Sequence, residues 1–206
     1  MKVLLVNGSP RKEGCTYTAL QEIAGALEKQ GVTTEIVQIG TKPVSGCISC
    51  YVCKKSGKCV IDDAVNEFAV KAKDVDGFIF GSPVYYASAN GSLTSFMDRL
   101  FYSHGKHFRG KPGAGIVSCR RGGATASFDQ LNKYFSINQM PIVSSQYWNM
   151  VHGNTPDEVR QDLEGLQIMR TLGNNMAWLL KCIEAGKKAG IDMPELEQRV
   201  MTNFIR

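Results

Sequence analysis

Short runs of β-branched and apolar residues alternate along this chain with longer segments whose apolar residues recur at helical spacing. This alternation is typical of a parallel β-sheet with helices on both of its faces. The predicted strands are Val3–Val6, Thr34–Ile39, Gly77–Phe80, Ala114–Ser118 and Ile142–Ser145. We therefore predict a doubly wound α/β fold with five parallel strands in the order 2-1-3-4-5.

The helical segments between these strands show one-sided apolar patterns. Two sets follow the spacing i, i+3, i+4 and i+7: Leu20, Ile23, Ala24 and Leu27, and Leu93, Phe96, Met97 and Leu100. Beyond the last strand, residues 155–188 are also helical in pattern, as one helix or as two joined near Gly173. This region is longer than a simple sheet needs. We predict a C-terminal helical extension from about residue 155 that contributes to a contact between subunits.

Length, composition and charge narrow the class of protein. A chain of 206 residues with 43% hydrophobic residues can form one ordinary domain, so we assign residues 1–206 to a single domain. The N-terminus reads as a strand and not as a signal peptide, and no apolar run approaches the roughly 20 residues of a membrane helix. We expect a cytoplasmic protein whose seven cysteines are reduced. The net charge of +5 is scattered, so nucleic acid is not an expected partner.

Ligands of doubly wound sheets bind beyond the carboxyl ends of the strands, which directs attention to the loops after strands one, three and four. In the first loop, residues 7–16, two glycines allow tight turns while Ser9, Thr16 and Arg11 offer hydroxyls and positive charge beside a helix start. Such a loop favours an anion, and phosphate above all. It lacks G-x-G-x-x-G and G-K-[ST], which disfavours a dinucleotide fingerprint and a P-loop. Cys15 is not in a Cys-x5-Arg loop, which argues against a cysteine phosphatase. A plain strand-to-helix turn is the alternative.

The run Asn7–Lys12 (Asn-Gly-Ser-Pro-Arg-Lys), followed by Thr16, resembles the FMN-phosphate loop of NAD(P)H-dependent FMN reductases and iron–sulfur flavoproteins, which are relatives of flavodoxin. The resemblance implies a flavodoxin-like fold. It assigns Ser9, Arg11 and Thr16 to the phosphate of FMN, and Lys12 and Cys15 complete the candidate cofactor contacts of this loop. A later run, residues 161–178, also looks like a family element, so the resemblance covers most of the chain.

The segment after strand three, Gly81-Ser82-Pro83-Val84-Tyr85-Tyr86, resembles the second flavin loop of the same families. An isoalloxazine ring is flat and largely apolar with polar edges, so its site needs aromatic faces together with backbone amides. The candidate ring contacts are Pro83, Val84, Tyr85 and Tyr86. Taken alone, two tyrosines after a strand are ordinary packing residues. The Asp98-Arg99 pair in the following helix is expected to be structural.

A glycine-containing turn, Ser118-Cys119-Arg120-Arg121-Gly122-Gly123, follows strand four. Its amides can face the pyrimidine edge of the flavin, where donors stabilise the reduced ring. The candidate cofactor contacts are Ser118, Arg120, Arg121, Gly122 and Gly123. The two arginines can equally meet the phosphates of a nicotinamide nucleotide or form a solvated surface pair.

Four cysteines form the spacing Cys-x2-Cys-x2-Cys-x5-Cys after strand two, at Cys47, Cys50, Cys53 and Cys59. Four thiols within thirteen residues can surround one iron–sulfur cubane, and the spacing resembles the compact motif of iron–sulfur flavoproteins. A [4Fe-4S] cluster is therefore one prediction. Zinc and reduced thiols against a neighbouring subunit are the alternatives. Cys119 and Cys182 are isolated, as is Cys15, and are expected to pack.

The resemblance implies that FMN carries the chemistry, with NAD(P)H as hydride donor and a small-molecule or protein electron acceptor. We expect an FMN-dependent oxidoreductase without a catalytic side chain, because His104, His107 and His152 have no carboxylate or nucleophile at a telling spacing. The alternatives are a non-enzymatic flavin electron carrier, with or without a cluster, and an FMN-binding sensor. We also expect a homodimer or homotetramer.

Overall fold

The computed structural model describes residues 1–202. Five parallel strands form its sheet: β1 (Lys2–Asn7), β2 (Thr33–Gln38), β3 (Gly77–Tyr85), β5 (Gly113–Cys119) and β6 (Met150–His152). A two-residue strand, β4 (Ser88–Ala89), pairs antiparallel with the end of β3. The sheet order is β2-β1-β3-β5-β6, so the predicted flavodoxin-like order of the five parallel strands is confirmed.

Helices cover both faces of the sheet, each through its apolar side. The helix α1 (Cys15–Lys29) and the long helix α7 (Leu163–Lys188) pack on one face. The opposite face is covered by α3 (Ala64–Ala72), α4 (Gly91–His104) and α5 (Ala124–Ile137). Two short helices, α2 (Val52–Ser56) and α6 (Pro156–Gln161), lie in connections. The apolar sets predicted at residues 20–27 and 93–100 are buried in α1 and α4, as expected.

The prediction that the fifth strand lies at Ile142–Ser145 is wrong. Only Ile142 makes an isolated bridge, to Gly113, and regular pairing resumes at Met150–His152. Between them the chain turns through polar contacts, because the Ser145 hydroxyl binds Tyr147 O at 2.7 Å and Asn149 Oδ1 at 2.8 Å. These local hydrogen bonds compete with the ladder and carry the chain away from the sheet edge.

Strand β3 does not end at Phe80 as predicted but continues to Tyr85 and turns back into β4. Further along, the late helical region breaks at Asp162 and not near Gly173. Asp162 caps α7 by accepting from Gly165 N at 2.9 Å. Gly173 lies inside α7, where a Cβ would come within 2.8 Å of Ala26 Cβ in α1. The glycine therefore allows the two helices to approach closely.

Among residues 1–202, no helix is both long and apolar enough to cross a membrane. The assignment of residues 1–206 to one domain with a C-terminal extension stays a prediction.

Candidate functional site

The three segments singled out in the sequence meet at one edge of the sheet. Gly8 N donates a hydrogen bond to Gly81 O at 2.9 Å, which joins the first segment to the second. Ser118 lies opposite Pro83 in the β3–β5 register, and its hydroxyl is 2.7 Å from the hydroxyl of Thr16. The carboxyl ends of β1, β3 and β5 thus form a continuous rim.

A buried asparagine organises the loop after β1. Asn7 Oδ1 accepts from Ser9 N at 3.1 Å, while Asn7 Nδ2 donates to Lys12 O at 3.1 Å and to Gln38 Oε1 at 2.6 Å. Gln38 Nε2 in turn donates to Ser9 O at 2.6 Å. The loop is therefore held from inside by Asn7 and from the neighbouring strand by Gln38. The sequence motif includes Asn7 without indicating this role, and nothing in the sequence marks Gln38.

The start of α1 is arranged to receive an anion. The helix begins after Gly14 with no side-chain cap and no acidic residue in its first turn, so its first N–H groups and the positive end of its dipole are available. Ser9 Oγ accepts from Arg11 N at 3.1 Å, which leaves the Ser9 O–H free to donate. The side chains of Arg11 and Lys12 are exposed beside it. These groups together favour a phosphate.

Cys15 lies at the edge of this loop, half-buried, with Sγ 3.7 Å from Gly153 O. Burial raises the pKa of its thiol, and the lowering effects of its own backbone amide and of Arg11 do not compensate. The thiol therefore stays neutral at physiological pH and packs beside the loop.

The second segment forms a tight hairpin. Pro83 and Val84 are half-buried, whereas Tyr85 and Tyr86 are exposed, and the Tyr86 side chain is completely so, at 105%. Tyr86 and Ala87 have φ values of 50° and 56°, so the turn uses the left-handed region without a glycine. The candidate ring contacts Pro83 and Val84 therefore form a wall, and the two tyrosines stand above it in solvent.

The hairpin is anchored at its base by a side chain of α5 and by the backbone at the start of α4. Gln130 Oε1 accepts from Ser88 Oγ at 2.9 Å and from Ala89 N at 3.0 Å. The buried Ser82 hydroxyl accepts from Asn90 N at 2.8 Å, and Asn90 caps α4. The second segment is therefore tied to both α4 and α5.

The third segment lies against the hairpin at Gly123. Gly123 has a φ of 92°, and a Cβ there would come within 2.5 Å of Ala87 Cα. Helix α5 starts directly after Gly123 without a side-chain cap, so its first amides are free to bind a ligand edge. Arg120, Arg121 and Gly122 are exposed at this turn.

The four clustered cysteines line one pocket on the α4 side of the molecule. Cys47 and Cys50 are exposed and Cys53 and Cys59 are half-buried, and none of the cysteines in residues 1–202 forms a disulfide. Within the same residues, no three His, Cys, Asp or Glu side chains converge where a single metal ion could be held. Among these residues, the four thiols thus line one pocket without forming a site for a single metal ion.

Arg99 forms the inner wall of this pocket. Its side chain is 1% exposed and makes a two-pronged ion pair with Asp63, at 2.7 and 2.9 Å. Its Nε donates to Cys59 Sγ at 3.3 Å. Burial raises the pKa of Asp63, but the hydrogen bonds from Arg99 and from Val65 N outweigh burial and hold that pKa below its ordinary value.

Comparison with known proteins identifies the family. The family model described as NADPH-dependent FMN reductase matches residues 1–155. The chain belongs to this family. NADPH-dependent FMN reductases and their relatives are FMN-binding flavoproteins of oxidoreductase type, which agrees with the rim described above.

Relatives of this chain include proteins named iron–sulfur flavoproteins. One from Methanocaldococcus jannaschii is 34% identical over 192 residues, which cover 89% of this chain and 100% of the relative. An iron–sulfur flavoprotein of Methanosarcina thermophila is 28% identical, over 91% of this chain and 99% of its own.

Solved structures support the fold. RosB, with the bound intermediate 8-demethyl-8-formylriboflavin-5'-phosphate, has a TM-score of 0.70 at 15% identity and covers 100% of this chain and 94% of its own. A flavodoxin from the Archaea has a TM-score of 0.61 at 16% identity, over 88% of this chain and 99% of its own.

Proposed function

We propose that this protein is an FMN-dependent oxidoreductase that takes a hydride from NAD(P)H and passes electrons to a small-molecule or protein acceptor. The observation that carries the proposal is the meeting of three distant segments at one rim, through Gly8 with Gly81 and Thr16 with Ser118. One part of this rim suits a phosphate and another suits a flat ring. FMN has both parts in one molecule.

Different residues of the rim would contact different parts of FMN. Ser9, Arg11, Lys12 and Thr16, with the first amides of α1, would hold the phosphate. Pro83 and Val84 would support the ring, with Tyr85 and Tyr86 free to close over it. The amides around Gly122 and Gly123 would face its pyrimidine edge. Bound FMN supplies the hydride and electron chemistry, so these residues need only bind, orient and exclude water.

We further propose that Cys47, Cys50, Cys53 and Cys59 hold a [4Fe-4S] cluster. The four thiols line one pocket, and four thiolates are the usual ligand set of such a cluster. Zinc sites with four cysteines usually combine two separated pairs, whereas these four cysteines lie within thirteen residues, so the donor set favours the cluster over zinc. A bound cluster would supply one-electron transfer. The relatives are named iron–sulfur flavoproteins, which supports a cluster at this position.

A non-enzymatic electron carrier is the second candidate function. It is favoured by the position of the cysteine pocket, whose Cys47 and Cys50 face solvent, where a redox partner could approach. A homodimer or homotetramer accompanies either function. Exposed apolar residues beside the pocket and on α7, among them Ile48, Tyr51 and Trp178, support such a contact.

Anaerobic purification tests the proposal. We expect flavin absorbance bands, iron and acid-labile sulfide, and steady oxidation of NADH or NADPH by the FMN-loaded protein. The variant Cys50→Ser should lose iron while retaining FMN. Its matched control is Cys182→Ser, since Cys182 is also exposed but lies on α7. Failure to retain FMN would refute the function, whereas FMN without nucleotide oxidation would favour the carrier.

A further inference from the structure

We propose that Arg99 is a positioning residue for the cysteine pocket, and that the N–H it donates to Cys59 Sγ raises the reduction potential of the cluster held there. This inference rests on the proposed function, because it assumes that the four cysteines carry a [4Fe-4S] group. It concerns a residue of α4 that is not one of the four ligands.

The direction of the donated N–H is fixed by the other partners of the guanidinium. Nη1 donates to Asp63 Oδ2 at 2.7 Å and to Ser45 O at 3.4 Å. Nη2 donates to Asp63 Oδ1 at 2.9 Å and to Ile61 O at 2.9 Å. An arginine has five N–H donors in a rigid plane, so these four bonds leave the Nε–H for Cys59. The contact with Cys59 Sγ is therefore imposed by the surroundings.

The four cysteine sulfurs of the pocket differ in the hydrogen bonds that they receive. In the part of the chain that the structure describes, Cys59 Sγ receives a hydrogen bond from Arg99, and no hydrogen bond reaches the sulfurs of Cys47, Cys50 and Cys53. The nearby Lys54 does not supply one, because its Nζ lies over the rings of Tyr51 and Tyr102, 4.9 and 5.9 Å from their centroids. Cys59 would thus be the one ligand tuned from inside the protein.

The helix that carries Arg99 is packed into the core. Phe96 and Leu100, its neighbours in α4, are fully buried in the core beneath the sheet. The side chain of Arg99 is itself 1% exposed, so water does not compete for its donors. A hydrogen bond held in such surroundings acts in a lower effective dielectric than one at the surface.

The sign of the effect follows from charge. Reduction of a bound cluster would add one electron without forming or breaking a bond, so the negative charge on its thiolates would increase. An N–H donated to a thiolate stabilises the more negative state and raises the potential. Asp63 neutralises the guanidinium at long range but does not remove the local dipole at 3.3 Å from Cys59 Sγ. The effect is thus expected to be local to Cys59.

The test compares two variants of the full-length holoprotein. Arg99→Met combined with Asp63→Asn removes the donor without leaving a lone carboxylate, and Asp63→Asn alone is the matched control that keeps Arg99. In the wild type, the side chain of Asp63 caps α3 by accepting a hydrogen bond from Val65 N. Asparagine also caps helices well, so α3 should keep its cap in both variants. Dithionite titration followed by electron paramagnetic resonance measures the midpoint potential. We expect a shift to lower potential in the double variant beyond any shift in the control, at unchanged iron content.

A second measurement needs no variant. Wild-type protein containing arginine labelled with nitrogen-15 in the guanidinium should show a hyperfine coupling to the reduced cluster by pulsed resonance. An iron-loaded wild type without this coupling, or a double variant with the control's potential, would overturn the role of Arg99 alone. Wild-type protein that lacks iron and sulfide would refute the cluster, and this inference with it. If the double variant does not fold, the wild-type coupling decides.

Discussion

Ser9 is the residue at which phosphate binding can be tested most directly, through its hydroxyl. Its oxygen already accepts from Arg11 N at 3.1 Å, so its hydrogen can point to a phosphate oxygen. Ser9→Ala should weaken FMN binding about ten- to a hundredfold, because a hydrogen bond to a charged group contributes about 1.5–3 kcal/mol. Quenching of flavin fluorescence measures the affinity. Riboflavin, which has no phosphate, is the control, and an equal loss for both flavins would contradict the assignment.

His104 predicts a dependence of stability on pH. Burial, together with His107, Lys73 and Lys106, lowers its pKa from the ordinary value of 6.5. The unfolded chain therefore takes up the proton first as the pH falls, and the free energy of unfolding should decrease below about pH 6.5. Urea unfolding at pH 7.5 and pH 5.5 measures the decrease.

The variant His104→Gln should show a smaller decrease in stability between these two pH values. His152→Gln is the control, since His152 is exposed at the end of β6. Equal pH dependence in wild type and His104→Gln would show that the buried ring does not contribute. The ring is expected to contribute because His104 is only 6% exposed, and burial is the largest cause of its lowered pKa.

At the scale of elements, the contact between the hairpin and the turn before α5 depends on Gly123. Gly123→Ala places a Cβ about 2.5 Å from Ala87 Cα, a backbone atom that cannot rotate away, and forces alanine into a φ of 92°. Left-handed backbone alone costs a non-glycine residue roughly 1–2 kcal/mol. We expect a lower unfolding temperature and weaker FMN binding, because the hairpin must move.

Gly122→Ala is the matched control for this prediction. A Cβ at Gly122 meets no atom within 4 Å, and its φ lies outside the left-handed region. The two variants are adjacent and chemically identical, so they differ in the contact with the hairpin and in the left-handed backbone that only residue 123 requires. Similar FMN affinities in the two variants would show that the hairpin position does not matter for binding.

The elements that could be predicted from the sequence are those with a local signal. Strands β1, β3 and β5 begin within two residues of their predicted starts, since buried apolar runs mark them. The turn at Tyr86 and Ala87 was missed because left-handed backbone without glycine or asparagine has no signature. The last strand was misplaced because Ile142–Ser145 is richer in β-branched residues than Met150–His152.

The candidate site also has a part that could be predicted from the sequence and a part that could not. Its three segments could be predicted because each follows a strand, and the topology brings strand ends together. Its supporting contacts could not be predicted, because they join residues far apart in the chain. Gln38 lies 31 residues from Asn7, and Arg99 lies 40 residues from Cys59. Only the folded chain shows that a helix residue expected to be structural reaches a cysteine.

At the scale of the whole molecule, helix α4 connects the two candidate redox sites. Its cap, Asn90, is bonded to Ser82 in the second flavin segment, and Arg99 near its other end reaches Cys59. Arg99 lies nine positions after Asn90, which corresponds to about 14 Å along the helix at roughly 1.5 Å per residue. The FMN rim and the cysteine pocket are therefore held at a fixed spacing by one buried element.

Because the FMN rim exists only when three distant segments are folded together, FMN should bind the native protein and not the unfolded chain. Ligand at 100 times its dissociation constant then adds about 2.7 kcal/mol to the free energy of unfolding. For a chain of this size, about 1 kcal/mol shifts the unfolding temperature by roughly 2–4 °C. We expect FMN to raise the unfolding temperature of the cofactor-free protein by about 5–10 °C at this concentration.

Scanning calorimetry over a range of FMN concentrations measures this shift in unfolding temperature. It also distinguishes specific binding of FMN to the native protein from a nonspecific effect of the added flavin. Specific binding gives a temperature that keeps rising with the logarithm of the FMN concentration above the dissociation constant. Ser9→Ala should follow the same curve displaced to higher concentration, since it weakens binding without removing the fold. Riboflavin should give a smaller shift that the substitution leaves unchanged, because the hydroxyl of Ser9 would contact only the phosphate. An unfolding temperature independent of FMN would show that the rim does not hold the cofactor.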